Sequence, residues 1–176
     1  GVTVDMQMRF MTGDFDDAEI RKITDEYELN THELNFIGIG YRKKKDLNSA
    51  EKFLEEAIEK NKTNSNAYGN LISLYCEQEK YDLCEKTYLS GLKNAGHGAE
   101  FIYYHQARSL FNQGKFMEAI NIGLKGIEKV EKYEPTFILC IKAFMNIAKK
   151  FQDLGAKEES KDPLIKAGQL CRIAIK

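Results

Sequence analysis

Small residues recur along this chain at an interval that belongs to one kind of architecture. Gly-x-Phe-x-x-Ala occurs at 13–18 (GDFDDA) and again at 114–119 (GKFMEA). Between these copies, DLNSAEKF places Leu47 and Ala50, and YDLCEKTY places Tyr81 and Cys84, where the motif has its aromatic and its alanine. The small residues fall at Ala18, Ala50, Cys84 and Ala119, at intervals of 32, 34 and 35, and a weaker copy with Gly155 and Ser160 follows after 41. A period near 34 is the mark of stacked two-helix units. The motif then marks the turn into each second helix, where an aromatic and a small residue pack against the first.

Hydrophobic spacing agrees. Leu34, Ile37, Gly38 and Tyr41 fall at i, i+3, i+4 and i+7, one stripe of an amphipathic helix that Asn30 and Glu33 can cap. Leu47, Ala50, Leu54, Ala57 and Ile58 stripe its partner, and the polar NKTNS run at 61–65 separates this pair from the next. Tyr68, Leu71, Ile72 and Tyr75 pair with Tyr81, Cys84, Tyr88 and Leu92, and the two glycines of NAGHG at 94–98 are suited to a left-handed helix stop. A third pair uses Tyr103, Ala107 and Leu110, then Phe116, Ala119 and Ile122. A fourth begins near Pro135, and Asp162–Pro163 reads as a cap and first-turn proline opening the last helix. The 41-residue interval requires a longer first helix or an added loop in this last unit.

The pattern resembles the tetratricopeptide repeat family over most of the chain. Residues 31–64 carry Leu34, Ile37, Gly38, Tyr41, Ala50, Leu54 and Ala57 in the family's signature order, and 65–98, 99–134 and 135–176 follow with looser copies. Residues 1–30 read as a degenerate unit missing part of its first helix. The proline that usually ends a repeat is absent, with Lys62 and Gly96 in its place, and Gly123 and Gly126 stand where larger residues or alanine are usual. The resemblance implies an all-α fold: a right-handed superhelical solenoid of antiparallel helix pairs, with about four units and a partial one in a single array.

Motifs of catalysis are missing from the sequence: there is no phosphate-cradling glycine loop, no G-x-S-x-G, no H-E-x-x-H and no calcium loop. His32, His97 and His105 lack ligand spacing, and Cys76, Cys84, Cys140 and Cys171 form no C-x-x-C pair, so we expect no metal, no cofactor and no enzymatic activity. The cysteines read as small packing residues of a reducing compartment, and a cytoplasmic location is expected. The acids of DFDDAE at 14–19 suit a first helical turn, and the bases of YRKKKD at 41–46 suit a last one. A net charge of −1, from 26 basic and 27 acidic residues, argues against a dedicated nucleic-acid binder, and no apolar run reaches the roughly 18–20 residues of a membrane span. The chain starts at Gly1 rather than Met, as a trimmed or mature product does.

Function is therefore expected at the surface. In the family, first helices line the concave face. Carried over, that face presents Asn35, Ile39 and Arg42, then Asn66, Asn70 and Ser73, then Phe101, Tyr104, His105 and Arg108, then Lys142, Met145 and Lys149. Asparagines grip extended peptide backbones, aromatics and arginine anchor interfaces, and the basic residues favour a partner with acidic groups. Phe101 and Tyr104 equally fit packing between repeats. Only Asn70 matches the clamp with which one sub-family holds chaperone C-termini. The expected role is a non-catalytic module binding a peptide or partner subunit in the groove. The alternative is the peptide-sensing domain of a longer transcription or signalling regulator. The degenerate first unit and the end at RIAIK suggest that flanking sequence or self-association through the array ends covers them.

Overall fold

The computed structural model describes residues 2–95, 97–129 and 133–175. It is all-α, with no strand among the described residues. The helices are α1 (Val4–Thr12), α2 (Asp17–Glu26), α3 (Thr31–Lys43), α4 (Leu47–Lys60), α5 (Ser65–Glu77), α6 (Tyr81–Asn94), α7 (Ala99–Asn112), α8 (Phe116–Lys129), α9 (Glu134–Asp153) and α10 (Lys161–Ile175). They divide into two compact units, Gly1–His97 and Gly98–Lys176. In the first, α3 packs with α4 and α5 with α6; in the second, α7 packs with α8 and α9 with α10.

Every helix pair turns in the same way. The backbone enters the left-handed region once in each turn, at Gly13, Lys45, Glu79, Gly114 and Gly155, with φ between 57° and 80°. Each of these residues stands five positions before the small residue of its repeat. The next residue's N–H donates to the carbonyl five positions back: Asp14 to Arg9, Asp46 to Tyr41, Lys80 to Tyr75, Lys115 to Leu110 and Ala156 to Phe151, all at 2.9–3.0 Å. This closure satisfies carbonyls that the helix end leaves free, and it requires one residue at positive φ. Glycine takes that conformation without a Cβ clash, which explains the Gly of Gly-x-Phe-x-x-Ala.

The small residues do what the spacing predicts in four copies of five. Ala50, Cys84, Ala119 and Ser160 are each no more than 3% exposed. Ala18 is the exception: it lies on the solvent side of α2, whose core residues are Ile20 and Ile23. Close approach is also why α8 holds two glycines. A Cβ at Gly123 would stand 2.4 Å from Cys140 Sγ on α9, and one at Gly126 would stand 2.7 Å from Tyr103 Cβ on α7. The propensity lost at these positions, about 1 kcal/mol each, is the cost of letting α8 nestle between its neighbours.

At the other end, α1 has nine residues and packs on α3. Phe10 is fully buried there, and a Cβ at Gly40 would collide with the Phe10 carbonyl. Arg9 ties α1 to α2 through two bonds to Glu19, at 2.8 and 2.9 Å. The acids of 14–19 have local duties: Asp16 caps α2, Glu19 holds Arg9, and Asp17 accepts from the Tyr41 hydroxyl.

That last bond recurs one repeat later. Tyr75 donates to Glu51 on α4 just as Tyr41 donates to Asp17 on α2, each across 24 residues. Burial and the neighbouring carboxylate push Tyr41 up to about 12 and raise Tyr75 as well. The Asn30–Glu33 capping box forms as expected. Gly98 does adopt positive φ, but as the N-cap of α7 and not as a stop for α6, whose C-cap Ala95 is extended; Gly96 lies outside the described residues. The extra length before Gly155 lies in α9, which has 20 residues against 14 in α7 and α8. The last helix starts at Lys161, so Asp162 lies inside its first turn, paired with Lys166, instead of capping it.

Candidate protein-interaction surface

The left-handed turn residues give a common register for the first helices. Thirteen positions before them stand His32, Asn66, Phe101 and Lys142; ten before, Asn35, Gly69, Tyr104 and Met145. Nine before stand Phe36, Asn70, His105 and Asn146; six before, Ile39, Ser73, Arg108 and Lys149. All the expected site residues except Arg42 fall in these four rows. His32, Phe36, Gly69 and Asn146 belong to the same rows and are not among the residues expected from the sequence. Counting back from each turn by a constant offset would have found them.

In the first unit the surface is less open than expected. Asn35 is 3% exposed, and its Oδ1 accepts from Asn70 Nδ2 at 3.0 Å. Ser73 is 7% exposed. Neither can grip a passing peptide backbone, because the packing of α3 and α5 covers both; Asn35 instead orients the half-buried Asn70. Arg42 also differs from expectation. Its Nε and Nη2 both donate to Glu77 Oε1, at 3.0 and 2.7 Å, so its charge is already matched across α3 and α5. Ile39 is half-buried and Asn66 is exposed.

The second unit keeps its chemistry at the surface. Phe101, Tyr104, His105 and Arg108 run at i, i+3, i+4 and i+7 along α7, the first three half-buried and Arg108 exposed. Tyr133, which enters α9, joins them: its ring lies 5.1 Å from Phe101 and 5.4 Å from Tyr104, edge to face in both cases. Tyr104 meets His105 in the same way at 5.1 Å. Such geometries set the positive rim of one ring against the negative face of the next. Burial, then Tyr104 and Glu100, raise the Tyr133 hydroxyl above its ordinary value. Lys142, Met145 and Lys149 are exposed along α9, which packs beside α7. Among the described residues, Arg108, Lys142 and Lys149 form no ion pair.

Among the cavities of the first unit that lie away from these rows are two that adjoin α4. One of about 510 Å³ runs between the end of α2 and α4, and one of about 390 Å³ lies between α4 and the α5–α6 pair. No group of three or more His, Cys, Asp or Glu residues converges among the described residues. None of the four cysteines is in a disulfide, and burial pushes Cys140 up to about 12, so its thiol stays protonated. None of the described helices is long and apolar enough to cross a membrane.

No protein-family model matches the chain, and neither does any curated protein. Structures of MamA are among those it resembles. One crystal structure of MamA superposes with a TM-score of 0.64 at 18% identity, covering 98% of this chain and 96% of that one. MamA AMB-1 gives 0.57 at 19%, covering 94% and 95%. MamA MSR-1 gives 0.52 at 19%, covering 96% and 98%. At such identities the likeness is one of fold. The chain has the helical-solenoid architecture of the tetratricopeptide type, built from antiparallel helix pairs.

Proposed function

We propose that the chain is a non-catalytic protein-interaction module, and that the first-helix rows of its second unit carry the strongest part of its binding surface. One observation supports this most. Partly exposed aromatics at Phe101, Tyr104 and Tyr133 share the unit with cationic groups at Arg108, Lys142 and Lys149 that no acid of the described residues neutralises. Interfaces draw most of their affinity from such aromatic and arginine anchors. The unmatched cations favour a partner segment with acidic groups, by steering its approach and excluding cationic competitors.

The test is an affinity capture from the source lysate with the whole chain and with a Tyr104→Ala/Arg108→Glu/Lys142→Glu variant whose helicity is intact. A partner lost only by the variant supports the assignment. A partner held equally by both sinks it.

A further inference from the structure

The near-neutral total charge hides a strong separation. Residues 1–97 contain 18 acidic and 13 basic side chains, and residues 98–176 contain 9 and 13, so the units carry −5 and +4. In the first unit the acid is concentrated on second helices: α2 and α4 hold eight acidic and four basic residues. The cavity of about 510 Å³ opens there. Leu29, Leu34 and Tyr27 give it an apolar lining, and Glu28, Glu56 and Glu59 stand beside them. Lys60, also in the lining, is spent on Glu28. Glu59 forms no ion pair among the described residues, and Lys52 reaches Glu56 only at 3.9 Å.

The second unit carries the complementary shape and sign. α10 turns Ala167 and Leu170 into the core with α9, and leaves Leu164 43%, Ile165 59% and Ile173 54% exposed. Lys161, Leu164, Ile165, Gly168 and Arg172 follow helical spacing on the outer side; Lys161 is spent on Glu158, so Arg172 is the base that flanks the apolar centre. Arg172 forms no ion pair among the described residues.

We propose that the occupant of the α2–α4 cleft is α10 of a second copy, with Leu164 and Ile165 against the apolar lining and Arg172 facing Glu56 and Glu59. Both halves of the complement stand on one chain, which is why a second copy fits best. The two surfaces differ, so the contact is heterologous and propagates head to tail until it closes into a ring or is capped. None of these residues belongs to the first-helix rows, so this contact and the proposed partner surface stand or fall separately.

Sedimentation velocity on the whole chain tests the contact in about 50 mM and about 500 mM salt, where the screening length falls several-fold below that of dilute buffer. Species larger than the 20.2 kDa chain are expected at low salt, growing with concentration and dissociating at high salt. Ile165→Asp alters one surface at a solvent-exposed position, and Glu56→Lys/Glu59→Lys alters the other. Each variant alone is expected to sediment as a monomer with unchanged helicity. Mixed, they restore a single working contact and give a one-to-one dimer and nothing larger. Wild-type protein that stays monomeric throughout, variants that still associate, or a mixture that stays monomeric would each overturn the proposal.

Discussion

Lys45 and Glu79 do a job that glycine does in the other three turns. A left-handed conformation costs an L-residue roughly 1–2 kcal/mol, and replacement by glycine recovers part of this while loosening the unfolded chain. Lys45→Gly and Glu79→Gly are therefore expected to stabilise the protein by about 0.5–1 kcal/mol each in urea unfolding. Gly114→Ala should cost about 1 kcal/mol although a Cβ there meets nothing within 4 Å, because the strain lies in φ. The tyrosine bonds carry a pH signature. Tyr41 is raised to about 12 by burial and then by Asp17, so its contribution is complete below the unfolded value near 10. It declines as pH rises through 12. Tyr41→Phe should cost about 1 kcal/mol at neutral pH, and urea unfolding at pH 9 and pH ~11.5 should show the gap between variant and wild type narrowing. A gap that widens with pH would contradict the assignment. At this scale the sequence was partly legible. The Asn30 cap and the small residues could be read because they depend on neighbours in sequence. The burial of Asn35 and the pairing of Arg42 could not, since both depend on partners 35 residues away.

Helix contacts decide what each element tolerates. Gly40 lets α1 approach α3 closely, since a Cβ there would collide with the Phe10 carbonyl. Because the obstacle is backbone, no rotamer change can relieve it. Gly40→Ala is expected to release α1 from α3, at a cost of about 2–3 kcal/mol, with amides of 4–12 exchanging faster and those of α4 little changed. Asn70→Ala removes the donor to Asn35 and leaves a buried acceptor unmatched, for about 1–2 kcal/mol; Asn35→Leu/Asn70→Leu together should cost less than that. Periodicity revealed that these helices exist, because burial of one face leaves a trace every three or four residues. It did not reveal which helix α1 chooses as its neighbour. That depends on Gly40, a residue that in sequence looks like a weak point in a helix.

For the molecule as a whole, overall charge is a poor guide to behaviour. With a pI near 6.4 and units of −5 and +4, the protein is expected to be least soluble near that pH in dilute buffer and to redissolve as salt is added. Turbidity measured across pH and salt checks this; turbidity that increases with salt would indicate apolar aggregation instead. The repeat plan could be read at this scale from the start, as the intervals of 32, 34, 35 and 41 are covalent facts. The distribution of binding groups could not. The four rows of first-helix positions hold polar and buried groups in one unit and aromatic and cationic groups in the other, a difference of content within a shared register.

The five identical turns have one more consequence. The fourth interval's surplus did not spread along the chain: α9 alone took in six residues beyond the fourteen of α7, or about 9 Å of helix, and the next turn closed with the same bonds. Each turn thus works like a stitch that stops a run in knitted fabric. Length can change on one side of it without unravelling what lies on the other, so a chain of this kind can be lengthened between its turns and still keep its count.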